Sequence, residues 1–122
     1  MAKKILVVDD EQNIIKVLQA RLEAEGYEVV TASDGEEALQ KVGTEKPNLI
    51  ILDIMMPKID GFEVCRRLKR DETFQHIPVV MLTALGQAAN IKEGMEKGAD
   101  AYIAKPFNTV ALLGIIQGLV GR

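Results

Sequence analysis

Short apolar runs alternate with amphipathic stretches five times along the chain. Three of these runs are almost continuously apolar, as is typical of parallel strands that are covered on both faces. The second run, EVVTA, is more mixed and predicts a strand nearer the edge of a sheet. The predicted strands are 5–8, 28–32, 49–52, 79–82 and 101–104.

The amphipathic stretches between these runs predict helices. In 12–25 apolar residues recur at helical spacing, and Gly26 follows as a C-terminal stop. Segment 34–45 has either Asp34 or Ser33 as its N-terminal cap. The other predicted helices are 61–70, 87–97 and roughly 108–120.

Five successive strand–helix units predict an α/β fold with one five-stranded parallel sheet. Right-handed crossovers place the helices on both faces of such a sheet. No internal repeat or linker interrupts the sequence, so we expect residues 1–122 to form a single domain. Ligands of open parallel sheets bind beyond the carboxyl ends of the strands. The strand ends are therefore where functional side chains are expected.

Polar side chains stand at the carboxyl ends of four predicted strands: Asp9 and Asp10, Asp53, Thr83 and Lys105. Three carboxylates in one pocket either raise one another's pKa or bind a cation. Oxygen donors without a nearby His or Cys favour a hard ion such as Mg²⁺. A cation, a lysine and a hydroxyl together suit phosphoryl transfer, in which positioning and charge neutralisation do most of the catalysis.

Four motifs, in this order, resemble those of the CheY-like receiver domain of two-component response regulators. They are VVDDE at 7–11, LDIMMPKIDG at 52–61, MLTA at 81–84 and DAYIAKPF at 100–107. Each motif alone is weak, whereas all four on a matching five-unit pattern are very specific. The resemblance covers essentially the whole chain. It implies a (βα)5 flavodoxin-like fold and a signalling switch that phosphorylation activates.

The resemblance also implies a role for each residue at the strand ends. Asp53 would accept a phosphoryl group from a sensor histidine kinase, a phosphotransfer protein or a small-molecule donor. Asp10 and Asp53 would bind Mg²⁺ or Mn²⁺ directly, Asp9 partly through water, and the backbone carbonyl of Met55 would complete the protein ligands.

Further residues would contact the phosphoryl group on Asp53 or respond to it. Thr83 would hydrogen bond the phosphoryl group, Lys105 would pair with it, and Tyr102 would turn inward as an aromatic switch. The Lys105–Pro106 bond is commonly cis in the family. The altered surface would comprise the fourth helix, the fifth strand and the fifth helix. That surface would bind a downstream effector or output domain, or a second copy after phosphorylation.

Two positions near the acceptor suggest a long-lived phosphoryl group. Met55 and Leu85 flank the path of an attacking water in the family, and both are apolar and bulky here. We therefore expect a phosphoacceptor regulator with slow self-dephosphorylation at most, and not an enzyme. A phosphohydrolase that uses an aspartyl phosphate would need a carboxylate at the position of Met55. A nucleotide or flavin binder would need a glycine-rich phosphate loop.

Simpler roles remain open for each of these residues. Asp10 or Thr83 could cap a helix, Asp53 could belong to a turn, Lys105 could be solvated, and Tyr102 could be a core residue.

Composition narrows the class of protein further. The formal charge of −3 and the lack of a Lys/Arg cluster argue against direct nucleic-acid binding. One cysteine and no apolar stretch of about 20 residues favour a cytoplasmic protein that does not enter a membrane. Cys65 is predicted to be a small buried hydrophobe and His76 an exposed loop residue. The tail helix has an apolar face of six residues opposite an unusual face of alanine and glycine.

Overall fold

The computed structural model describes residues 2–84, 98–105 and 107–121. These residues form one five-stranded parallel sheet, as the sequence predicts, and its strand order is β2-β1-β3-β4-β5. The strands are β1 (Lys4–Val8), β2 (Glu28–Ala32), β3 (Leu49–Asp53), β4 (Val79–Ala84) and β5 (Ala101–Lys105). The helices are α1 (Gln12–Ala24), α2 (Gly35–Glu45), α3 (Gly61–Lys69) and a C-terminal helix (Thr109–Val120). The predicted helix 87–97, Leu85 and Pro106 lie outside the described residues.

The order of the strands follows their composition. The apolar strands β1, β3 and β4 occupy the centre of the sheet, where both faces are covered. The mixed strand β2 lies at one edge, which confirms its prediction, and β5 lies at the other. Every residue of β5 is only half-buried.

Alternate residues of each strand point into two separate cores. Leu6 and Val8 of β1 belong to the core beneath α2 and α3. Ile5 and Val7 belong to the core beneath α1 and the C-terminal helix. Burying each such side chain contributes about 1.5–3 kcal/mol, so the sheet is held from both sides.

Side-chain caps fix where the helices begin. The backbone N–H of Glu37 donates to Asp34 Oδ1 at 2.8 Å, and the N–H of Ser33 donates to Glu37 Oε1 at 2.7 Å. Asp34 is therefore the cap of α2, and Ser33 and Glu37 complete a reciprocal capping box. Asp60 caps α3 by accepting the N–H of Glu63 at 2.9 Å.

The C-terminal helix packs mostly as its pattern predicts. Leu112, Leu113 and Ile116 are buried, and the face of alanine and glycine is exposed. Leu119 was expected on the buried face but is 37% exposed. It stands in the last helical turn and borders an open cavity, which explains the difference.

Candidate phosphoacceptor site

Parallel pairing brings the strand ends to one rim of the sheet. Each of β3, β4 and β5 continues one or two residues beyond its predicted end, so Asp53, Thr83 and Lys105 belong to the strands themselves. In the register of the sheet, Asp53 pairs with Leu82, and Thr83 pairs with Ala104. Asp9 follows β1 directly on the other side of β3. The side chains that the sequence singles out therefore share this rim.

The three acidic residues form one cluster. A carboxylate oxygen from each of Asp9, Asp10 and Asp53 lies within 4.8 Å of the other two. Asp9 is fully buried, Asp53 is 5% exposed and Asp10 is exposed. Asp9 Oδ2 accepts no hydrogen bond from the described residues and has an ionic contact with Lys105. Three convergent carboxylate oxygens fit a hard divalent cation.

Lys105 joins the cluster from β5. Its Nζ lies 3.0 Å from Asp9 Oδ2, 3.3 Å from Asp53 Oδ1 and 3.3 Å from Glu11 Oε1. Burial works against its charge, but its contacts with Asp9, Asp53 and Glu11 hold the pKa of Lys105 above its ordinary value. The lysine is therefore an anchored cation and not a solvated side chain.

The pKa of Asp53 shows that its buried, acidic surroundings disfavour the ionised form of its carboxyl group. Burial is the larger cause, followed by the charge of Asp9, and together they raise the pKa of Asp53 from 3.8 to about 6. Lys105 opposes that rise. Without a second cation, the negative charge on Asp53 is thus only partly compensated.

The turn after β1 orients Asp9. Its Oδ1 accepts the N–H of Glu11 at 2.9 Å, and its own N–H donates to the carbonyl of Ala32 at 3.1 Å. The residue that caps α1 is Glu11, which makes no side-chain cap hydrogen bond. The alternative that Asp10 caps this helix is therefore wrong. Glu11 had no role predicted from sequence, because its contact with Lys105 joins residues 94 positions apart.

Gly61 packs against the backbone of Asp53, and this role was not predicted from the sequence. The N–H of Gly61 donates to the carbonyl of Ile54 at 2.9 Å. A Cβ at Gly61 would lie 2.3 Å from the carbonyl oxygen of Asp53 and 2.8 Å from Ile54 Cα. Helix α3 can begin against the backbone of Asp53 only because Gly61 has no side chain. The Asp60–Gly61 pair was the available signal, but it suggested only a turn and a helix start.

Thr83 and Tyr102 lie on the neighbouring strands β4 and β5. Thr83 is buried, and Tyr102 is half-buried against the core beneath α2 and α3. Tyr102 pairs with Met81, two residues before Thr83 in β4. The switching role of these two residues stays a prediction.

The end of α3 and its C-terminal cap carry a basic run, which is an exception to the expected lack of a Lys/Arg cluster: Arg66, Arg67, Lys69 and Arg70. Much of its charge is neutralised within the domain. Glu63 pairs with both Arg66 and Arg67, and Lys69 Nζ lies 3.0 Å from Asp100 Oδ2. Hydrogen bonds from Arg66 and Arg67 lower the pKa of Glu63 to about 2.

The remaining predictions concern Cys65 and His76. Cys65 is fully buried, and burial raises the pKa of its thiol to about 11, so it is the inert hydrophobe predicted. His76 is exposed, as expected. Among the described helices, none has both the length and the apolar character needed to cross a membrane.

Comparison with known proteins finds relatives that match nearly the entire length of this chain. The family model of the response regulator receiver domain matches residues 5–117. The alkaline phosphatase synthesis transcriptional regulatory protein PhoP of Bacillus subtilis is 55% identical over 122 residues, covering 100% of this chain and 50% of PhoP. The chain spans about half the length of the transcriptional regulators it matches.

Solved structures agree with this comparison. The chemotaxis protein CheY4 of Vibrio cholerae superposes with a TM-score of 0.91 at 35% identity, covering 98% of this chain and 99% of CheY4. The receiver domain of a sensor histidine kinase from Pseudomonas aeruginosa PAO1 superposes with a TM-score of 0.90 at 28% identity, covering 100% of both chains. The latter structure contains a magnesium ion coordinated in its active-site cleft.

Proposed function

The chain belongs to the response regulator receiver domain family, and we propose that Asp53 is the residue through which it is switched by phosphorylation. The family supplies the phosphorylation-activated switches of two-component signalling, and residues 1–122 would make up one such domain. The observation that carries the assignment of Asp53 is its position. Its carboxylate is nearly buried at a strand end, 3.3 Å from an ammonium group and clustered with two further carboxylates.

The proposed reaction is a phosphoryl transfer onto Asp53. A carboxylate oxygen of Asp53 attacks the phosphorus of a phosphohistidine on the kinase or phosphotransfer protein. The new O–P bond forms as the N–P bond breaks, and the imidazole nitrogen keeps the electron pair of that bond. A small acyl phosphate can donate in the same way. The Lys105 ammonium is positioned to pair with the incoming phosphoryl oxygens, and the Thr83 hydroxyl to donate a hydrogen bond to them.

Mg²⁺ or Mn²⁺ fits the acidic cluster by its donor chemistry. Asp9, Asp10 and Asp53, with the backbone carbonyl of Met55, would hold the ion. When bound, the ion supplies positive charge that offsets the carboxylates and the phosphoryl oxygens. The magnesium ion in the cleft of the Pseudomonas receiver domain supports this assignment.

Output would pass from the phosphoryl group to a protein surface. Thr83 would move toward the phosphoryl group, and Tyr102 would follow it inward. The surface altered would be that of the segment 87–97, β5 and the C-terminal helix. An effector protein, an output domain or a second phosphorylated copy that prefers this state would in turn promote phosphorylation. We place the domain in the cytoplasm, and its formal charge of −3 argues against nucleic-acid contacts of its own.

The lifetime of the phosphoryl group should be long. Met55 is 70% exposed beside the acceptor and has no group that could orient a hydrolytic water. We therefore propose slow self-dephosphorylation.

The test of this function is the intact mass of the protein after incubation with acetyl phosphate, with and without Mg²⁺. We expect a single Mg²⁺-dependent phosphoryl adduct on the wild type and on the control Asp71→Asn, which changes an exposed aspartate away from the site. Asp53→Asn should show none. An adduct that persists in Asp53→Asn would contradict the assignment, as would a wild type that neither acetyl phosphate nor a histidine kinase can phosphorylate.

A further inference from the structure

A cavity of about 520 Å³ lies at the edge of the sheet opposite the acidic cluster. Its lining includes Lys3, Asn48 and Pro78, which directly precede β1, β3 and β4. The other ends of these same three strands lead to Asp9, Asp53 and Thr83. A five-residue strand is about 17 Å long, so an occupant of this cavity would not touch the acceptor site.

The cavity has an apolar part. Phe74, Ile77, Leu119 and Val120 line it, together with two prolines. Leu119 is 37% exposed although it belongs to the apolar face of the C-terminal helix. Exposed apolar surface of this kind gains free energy when a ligand covers it, at about 25 cal/mol per Å².

Hydrogen bonds hold the walls in place. On one side, Lys69 Nζ donates to the carbonyl of Ile77 at 2.8 Å and to that of Gln75 at 3.3 Å. On the other side, Asn48 accepts the N–H of Lys4 at 2.8 Å through its side chain. Its backbone N–H also donates to the carbonyl of Lys4 at 2.7 Å. A cavity with fixed walls costs less ordering on binding than a flexible one.

The cavity also has a basic part, although the chain as a whole is acidic. Lys3, Lys46 and His76 line it, whereas the chain as a whole carries a formal charge of −3. Within the described residues, neither Lys3 nor Lys46 takes part in an ion pair. Glu45, which directly precedes Lys46 in the sequence, pairs instead with Lys4 at 3.1 Å. The two lysines are thus available to an anion.

We propose that this cavity is a second ligand site, which binds a small organic anion with an apolar body. The acid group lies against Lys3 and Lys46, and the aliphatic or aromatic portion covers Phe74, Ile77 and Leu119. The volume falls within the usual 300–1,000 Å³ of small-molecule sites, which combine an apolar lining with a few polar groups. The inference does not depend on the phosphorylation of Asp53.

The test is an NMR titration of the unphosphorylated protein in EDTA, with octanoate as the probe. Backbone amide shifts of the lining residues should saturate with octanoate, whereas acetate and 1-octanol should bind at least several-fold more weakly. The double variant Lys3→Gln, Lys46→Gln should raise the Kd for octanoate about fivefold, since each exposed ionic contact contributes modestly. The control Lys16→Gln, Arg21→Gln removes the same charge from exposed positions on α1 and should leave the Kd unchanged.

Several results would overturn the proposal. Equal binding of 1-octanol would show that the basic lining residues are not used, and equal binding of acetate would show that the apolar lining residues are not used. Shifts that do not saturate, or that map away from the cavity, would remove the site altogether. If an acidic leucine-containing peptide binds the lining residues and octanoate does not, the occupant is a protein segment and not a small anion.

Discussion

Lys105 Nζ lies 3.3 Å from Asp53 Oδ1 and bridges it to Asp9, whose Oδ2 is 3.0 Å from the same ammonium. One ammonium thus lies against two carboxylates, of which Asp9 is fully buried and Asp53 nearly so. The same ammonium is positioned to pair with a phosphoryl group on Asp53. Its removal therefore has one consequence for folding and another for chemistry.

Lys105→Gln should lower both the stability and the rate of phosphorylation. Two buried carboxylates lose their cation, so we expect the free energy of unfolding in EDTA at pH 7.5 to fall by about 2 kcal/mol. The rate of phosphorylation by acetyl phosphate should fall at least about tenfold, because the charge that pairs with the phosphoryl oxygens is gone. Urea unfolding and intact-mass time courses measure the two effects. Lys16→Gln is the matched control, and a Lys105→Gln protein as stable as that control would contradict the bridging role.

Asp53 should make the stability of the metal-free protein depend on pH. Its pKa of about 6 lies above the ordinary 3.8, so the folded state binds this proton more tightly than the unfolded chain does. The free energy of unfolding therefore falls as the pH rises from about 4 through about 6, by an amount of the order of 3 kcal/mol.

Asp53→Asn isolates this contribution. In EDTA the variant should be more stable than the wild type above pH 6, and the difference should vanish as the pH falls to about 4. Thermal or urea unfolding across this range measures the difference between the two proteins. A difference that stays constant with pH would mean that the Asp53 carboxyl does not have a raised pKa.

The acidic cluster should give a metal-dependent rise in stability. At a Mg²⁺ concentration of about ten times the Kd, binding to the folded state adds about 1.4 kcal/mol, or a few degrees in Tm. Asp10→Asn removes an exposed carboxylate oxygen of the cluster and should reduce this rise without greatly changing the metal-free Tm. Asp71→Asn should keep the full rise. An equal Mg²⁺ response in Asp10→Asn would exclude Asp10 from the ligand set.

The central strands and their polar ends could be predicted from sequence because each signal is local. Continuous apolar runs ending at Asp9 and Asp53 indicate both a buried strand and the point where it reaches the edge of the sheet that holds the acidic cluster. The mixed EVVTA run indicated an edge for the same reason. What escaped prediction depends on distant packing. The contact between Glu11 and Lys105 needs the whole sheet, and the exposure of Leu119 depends on the cavity beneath the last helical turn.

Gly61 belongs to the second kind of residue, and its substitution tests how closely α3 holds the acceptor. A methyl group at this position would meet the backbone of Asp53 at 2.3 Å, a contact that no side-chain rotation can relieve. We expect Gly61→Ala to lower the free energy of unfolding by about 2–4 kcal/mol, as overpacking against a fixed backbone does. Phosphorylation of Asp53 should slow as well, since β3 and the loop after it must move to make room.

Gly43→Ala is the matched control and should have the opposite effect on the free energy of unfolding. Gly43 lies inside α2, and a Cβ there meets nothing within 4 Å. Alanine should therefore stabilise the protein by about 0.5–1 kcal/mol through its better helix propensity, without altering phosphorylation. Urea unfolding and the acetyl phosphate time course compare the two variants directly. A Gly61→Ala protein that is as stable as Gly43→Ala and is phosphorylated as fast would show that the close approach of Gly61 to Asp53 does not position that residue.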